Sequence, residues 1–166
     1  MSPAPRRSLR LTGKVLYLTD DIDALRAQLR GELSLKHEPS RKLIDNISTD
    51  ELTPGWVCYY YDETLARYCL VGLRGNAIEK DAIKNGGFQI IVSGRSKGCG
   101  SSRETAPYSE LGAGIQLVVA QNIEKIYGQN AQNIGLLTTT DFGILERLER
   151  GEEVAIEEFT RGLDPI

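Results

Sequence analysis

The sequence predicts an α/β domain, and three observations lead there. Short apolar runs rich in β-branched residues alternate with stretches of helical length. Two of those runs, 88–93 and 116–120, flank a stretch long enough to be the helix of a right-handed βαβ crossover. The chain has 166 residues, 40% of them hydrophobic, which is enough for one domain with its own core.

The elements follow in order. The opening PRRSLRLTGK is short and basic, and residues 1–12 read as a flexible, solvated arm. KVLYL (14–18) is a strand. DIDALRAQLRGEL places Leu25 and Leu29 one turn apart, offers Asp21 or Asp23 as a cap and Gly31 as a stop, so it reads as a helix. SLKHEPSRK is a polar loop. LIDNISTDELTPGW gathers Asp, Asn, Ser, Thr and Pro, which is turn chemistry. WVCYYYDE and YCLVGL are β-branched and aromatic and read as strands, with the tyrosines at 59–61 on alternating faces. FQIIVSG (88–94) is a buried strand that ends in glycine. The helix APYSELGAGI and the strand QLVVAQ (116–121) come next. NIEKIYGQNAQNIGLLTTTD reads as a helix and a turn. FGILERLERGEEVAIEEFTRG holds a short helix and a final strand. The chain has no internal repeat.

Composition narrows the function. The net charge of −3 points away from nucleic acid and from acidic membrane surfaces. No run approaches the ~20 apolar residues of a membrane span, and the first residues lack the pattern of a signal peptide. Cys58, Cys69 and Cys99 cannot all pair with one another, and none sits in a C-x-x-C. That usage fits free thiols in a reducing cytoplasm. The only histidine is His37. A histidine-rich metal site and a serine–histidine–aspartate triad are therefore disfavoured. Acid–base chemistry has to use other groups, or borrow them from a partner.

The stretch richest in chemistry is GRSKGCGSSRETAP, 94–107. It leaves the C-terminal end of a strand and enters a helix, the place where open α/β sheets bind ligands. Glycines allow close backbone approach, helix N-terminal N–H groups attract anions, and Arg103 can fork onto a carboxylate or phosphate. Helix capping is the competing reading, because Ser101 and Glu104 fit the S-x-x-E box. With Ser101 as the cap, however, Pro107 falls inside the helix at a cost of ~3 kcal/mol. With Thr105 as the cap, Pro107 falls in the tolerated first turn. The pattern lacks the lysine of a P-loop.

GCGSSRETAP, followed by LGAGIQLVVAQNIEKIYGQNAQNIGLL, resembles the small subunit, or swivelling domain, of the aconitase and isopropylmalate dehydratase superfamily. Upstream, DNISTDELTP (45–54) resembles a second family motif, and GLRGN (72–76) resembles a third. The three occur in the family's order, and the resemblance spans residues 45–145. Two departures stand out. Thr105 occupies the position of the family's histidine, and residues 12–44 do not match the start of a standard small subunit.

The resemblance implies a three-layer swivelling β/β/α domain of the aconitase type, with residues 1–166 forming a single domain. It implies a hydro-lyase that isomerises an isopropylmalate-like 2-hydroxy polycarboxylate through an alkene, in amino-acid biosynthesis. Homoaconitase- and aconitase-like substrates are the alternatives. The [4Fe–4S] cluster is expected in a large partner subunit, or in a C-terminal continuation of the same chain, with no cofactor or metal on this chain. By the same resemblance Ser101 is the catalytic base. Ser102, Arg103 and Arg74 bind substrate, and Thr49, Asp50 and Gly100 line the site. Asn130 and Asn133 are expected to brace loops. Thr49 and Asp50 can equally close an Asx or Ser/Thr turn, and Arg74 can equally be a solvated surface arginine. A binding module that senses a di- or tricarboxylate without turnover is the reading from another class.

Overall fold

A computed structural model describes residues 8–38, 40–53, 66–73, 78–99 and 105–155. Four parallel strands form its main sheet, in the order β2 (Lys14–Tyr17), β3 (Phe88–Ser93), β4 (Leu117–Ala120), β5 (Leu137–Thr139). All six residues of β3 and all four of β4 are buried. That is why both read as continuous apolar runs: a parallel sheet is covered on both faces.

Alternate residues of these strands feed two cores. Leu16, Leu18, Ile91 and Val118 pack with Leu25, Ala106 and Ala131 on one face. Those partners come from α1 (Ile22–Leu29), α4 (Thr105–Gly112) and α5 (Lys125–Ile134). Tyr17, Ile90, Val92, Leu117 and Val119 pack on the other face with Ile144, Leu145 and Leu148 of α6 (Phe142–Glu149). The predicted crossover is present: β3 and β4 pair in parallel, Ile90 against Leu117, with α4 between them in the chain.

Local signals set the helix ends. Asp21 caps α1 by accepting the Ala24 N–H at 3.2 Å, and Gly31 follows the helix at φ +76°. The edge strand β2 has an unusual partner in the buried Gln28 of α1. Its amide accepts the Tyr17 N–H and donates to the Tyr17 carbonyl, both at 2.9 Å. A side chain thus stands in for a neighbouring strand.

Several expectations are corrected. YCLVGL (68–73) is a run of turns, not a strand. Leu70 takes φ +62°, its N–H donates to Leu52 O at 3.0 Å, and Cys69, Leu70 and Leu73 are buried. Core contacts override a strand preference that only measures fit to a pleated surface. The turn read at 45–54 contains one helical turn, α2 (Thr49–Leu52), built on a reciprocal capping box between Ser48 and Glu51. The stretch after α5 holds β5 as well as a turn, and α3 (Ala82–Gly86) was not anticipated. The solvated arm does not reach residue 12. Strand β1 (Ser8–Leu9) pairs antiparallel with β6 (Val154–Ala155), and Leu9 is buried. The strand expected over WVCYYYDE lies outside the described residues. Among the described residues no helix is long and apolar enough to cross a membrane.

Candidate active site

At the C-terminal edge of the main sheet, residues 94–99 leave β3 and run between two other segments. Residues 44–49 lie on one side. Gly94 N–H donates to Ile44 O at 2.9 Å, Arg95 N–H to Asp45 Oδ1 at 2.7 Å, and Asn46 N–H to Arg95 O at 2.7 Å. Gly98 and Cys99 N–H both reach Ile47 O, at 2.7 and 3.2 Å, and Thr49 N–H donates to Cys99 O at 2.8 Å. Residues 121–124 lie on the other side. Gln121 N–H donates to Gly94 O at 3.0 Å, Lys97 N–H to Asn122 O at 3.1 Å, and Glu124 N–H to Lys97 O at 3.0 Å. Ser96 N–H donates to the Asn122 side chain.

Glycine is required here by contact as well as by conformation. A Cβ at Gly94 would stand 2.0 Å from Asp45 Oδ1. Gly98 has φ +87°, and a Cβ there would stand 2.3 Å from Tyr127 Cγ. Gly98→Ala should therefore cost at least ~1–3 kcal/mol in urea unfolding, since neither the backbone nor a buried ring can yield cheaply. A loss of only a few tenths would mean that the ring is free to move.

Two of the sequence motifs, some 50 residues apart, thus meet in space. Thr49 is buried against the flank of the serine motif. Thr53 Oγ1 donates to Thr49 O at 3.3 Å and lies 3.2 Å from Thr105 Oγ1. Thr105 is buried at the start of the described part of α4, and Pro107 is the third residue of that part. Asp50 lies in α2. Gly100, Ser101, Ser102, Arg103 and Arg74 lie outside the described residues. Cys99 is half-buried. Asn130 and Asn133 lie on α5, half-buried and exposed.

A buried polar cluster adjoins the motif, and sequence reasoning missed it. Lys97 Nζ donates to Glu110 Oε2 at 2.9 Å and to the Tyr127 hydroxyl at 3.1 Å. Tyr127 in turn donates to Glu110 Oε1. Both charged side chains are fully buried. Burial, and then the Glu110 carboxylate, push the Tyr127 phenol well above its ordinary range, so it stays a neutral donor. The signal was present as a lone lysine inside a glycine-rich motif, but burial cannot be read from one residue.

His37 belongs to a different place. Its Nδ1 lies 3.3 Å from Glu146 Oε1 and its ring packs on Phe142, on the α6 face of the sheet. A cavity of about 210 Å³ there is lined by Tyr17, His37, Arg41, Gln121 and Phe142, among others. Among the described residues no group of three or more His, Cys, Asp or Glu side chains could hold a metal ion. Burial also pushes the Cys69 thiol well above its ordinary range, which disfavours the thiolate a metal would need.

A family model described as Aconitase C-terminal domain matches residues 11–141. The isopropylmalate/citramalate isomerase small subunit of Methanocaldococcus jannaschii is 37% identical over 116 residues, which are 69% of this chain and 67% of that one. The 3-isopropylmalate dehydratase small subunit of Helicobacter hepaticus is 36% identical over 120 residues, 72% of this chain and 70% of that one. Aconitase AMT8 of Alternaria alternata is 36% identical over 120 residues, which make up only 14% of its length. Among solved structures, 3-isopropylmalate dehydratase (leuD) of Methanocaldococcus jannaschii has a TM-score of 0.47 and 34% identity, covering 57% of this chain and 55% of that chain.

Proposed function

Because this chain belongs to the Aconitase C-terminal domain family, we propose that it is the small subunit of a hydro-lyase that isomerises an isopropylmalate-like 2-hydroxy acid. The observation that carries the reading is its similarity to two small subunits at 36–37% identity, over about 70% of this chain. The reaction removes a proton from the carbon beside a carboxylate and a hydroxyl from its neighbour, giving an alkene. Water then adds back in the opposite sense.

In this reading Ser101 takes and returns the proton. A serine hydroxyl is a poor base in water, and needs cations and N–H dipoles around it in a dry site. Arg103 supplies the cation, and it can also clamp a carboxylate with two hydrogen bonds. Ser102 hydrogen-bonds the substrate, and Arg74 is the second carboxylate clamp. Thr49, Asp50 and Gly100 line the site. The contact between residues 45–49 and 94–99 supports this grouping, since it lays the two motifs side by side. A [4Fe–4S] cluster on a large subunit would supply the Lewis acid for hydroxyl departure. No step is assigned to a metal held by this chain. The free thiols suit a cytoplasmic enzyme.

A second architecture has its own support. The match to Aconitase AMT8 falls within a small fraction of a long chain. In this second reading the chain corresponds to one part of a longer enzyme.

The test is co-expression with a large-subunit relative, anaerobic reconstitution with iron and sulfide, and ultraviolet detection of the alkene. Isopropylmalate, citramalate, homocitrate and citrate are the substrates to offer. Turnover of isopropylmalate or citramalate is expected. A loaded complex that binds these acids without converting them would replace the enzyme by a carboxylate-binding module.

A further inference from the structure

The chemistry proposed above makes no use of the buried cluster of Lys97, Glu110 and Tyr127, yet the cluster spans both ends of the segment that carries it. Lys97 precedes residues 98–104, and Glu110 sits on α4, the helix that follows them. Tyr127 comes from a third element, α5, and closes the network. Lys97 Nζ lies 4.6 Å from the centre of the Tyr127 ring, and Gly98 is pressed against the same ring. The backbone of residue 97 is also hydrogen-bonded on both sides, to Asn122 and Glu124.

An apolar trio of similar volume would fill this space with equal or greater stability, because burying two charges is expensive even when they pair. Apolar packing would not supply direction. Hydrogen bonds of 2.9 and 3.1 Å between three elements fix where the start of the segment lies relative to the helix it enters. We propose that Lys97, Glu110 and Tyr127 are positioning residues: they hold Lys97–Cys99 in a fixed place against α4 and α5, and the chemistry read into Ser101 and Arg103, which follow in the chain, depends on that placement. The proposal rests on the reading of residues 101–103 as the chemical segment.

The test replaces the whole network at once, in the full chain, with Lys97→Met, Glu110→Leu and Tyr127→Phe combined. Thermal unfolding reports global stability, and amide hydrogen exchange reports the segment locally. The thermal midpoint should stay close to that of the wild type, while the amides of Gly98 and Cys99, which donate to Ile47 O, exchange at least ~10-fold faster and those of β3 and β4 are unchanged. In the assembled complex kcat should fall ~10–100-fold and KM should rise, because Arg103 also clamps a carboxylate, with subunit association unaltered.

Unchanged exchange at Gly98 and Cys99 would overturn the proposal, and so would an unchanged kcat. Faster exchange beside a wild-type complex that turns over no acid would leave the positioning intact and remove the enzymatic reading instead. Should the triple variant fail to fold, Tyr127→Phe alone loses one hydroxyl from the network. It should shift the same amides in the same direction, and no shift would again overturn the proposal.

Discussion

Lys97→Met, made alone, should lower the stability of the chain by about 3–5 kcal/mol. The side chains of Lys97 and Glu110 are both 0% exposed, so removing the ammonium leaves a buried carboxylate without its counter-charge. The Tyr127 hydroxyl still donates to Glu110, but one neutral donor does not replace an ammonium. For a chain of this length the loss corresponds to roughly 6–20 °C in the unfolding midpoint. Urea unfolding of the full chain measures it directly. Adding Glu110→Leu should recover most of the loss, because no charge is then stranded. A single variant that loses less than ~1 kcal/mol would mean that water or relaxation reaches the carboxylate, and the cluster would not be the rigid tie described above.

Ser101→Ala should reduce turnover of the assembled enzyme at least ~100-fold while substrate still binds. Deleting the hydroxyl removes the only group assigned to carry the proton, but leaves the arginines that hold the carboxylates. The loss should therefore appear in kcat, with little change in KM. Arg103→Lys is the informative companion. It keeps the charge but loses the planar fork, so KM should rise as well. If Ser101→Ala kept wild-type kcat, the proton would have to travel through another residue.

Much of the fold was legible because buried parallel strands are continuous apolar runs. FQIIVSG and QLVVAQ became β3 and β4 for that reason. Caps were equally readable, as at Asp21 and Gly31, because they depend on residues adjacent in the chain. YCLVGL misled because its apolar residues are buried in turns, held by contacts such as Leu70 to Leu52. Composition records that a residue is apolar, not what covers it. Ser8 and Leu9 were equally opaque, since their partners Ala155 and Val154 lie almost the full chain length away.

By itself the sequence determined the α/β class, the order of the main strands and helices, and the motifs on which the chemistry is placed. Each of these is written in local periodicity, in turn residues, or in short contiguous patterns. Only the tertiary structure decided that residues 45–49 lie along 94–99, and that Thr53 meets Thr105. It also decided that Lys97 is buried against Glu110 and Tyr127 rather than solvated like most lysines. Those contacts join residues from 13 to 52 positions apart along the chain. They exist because the strand ends converge on one edge of the sheet, and no local pattern encodes that convergence.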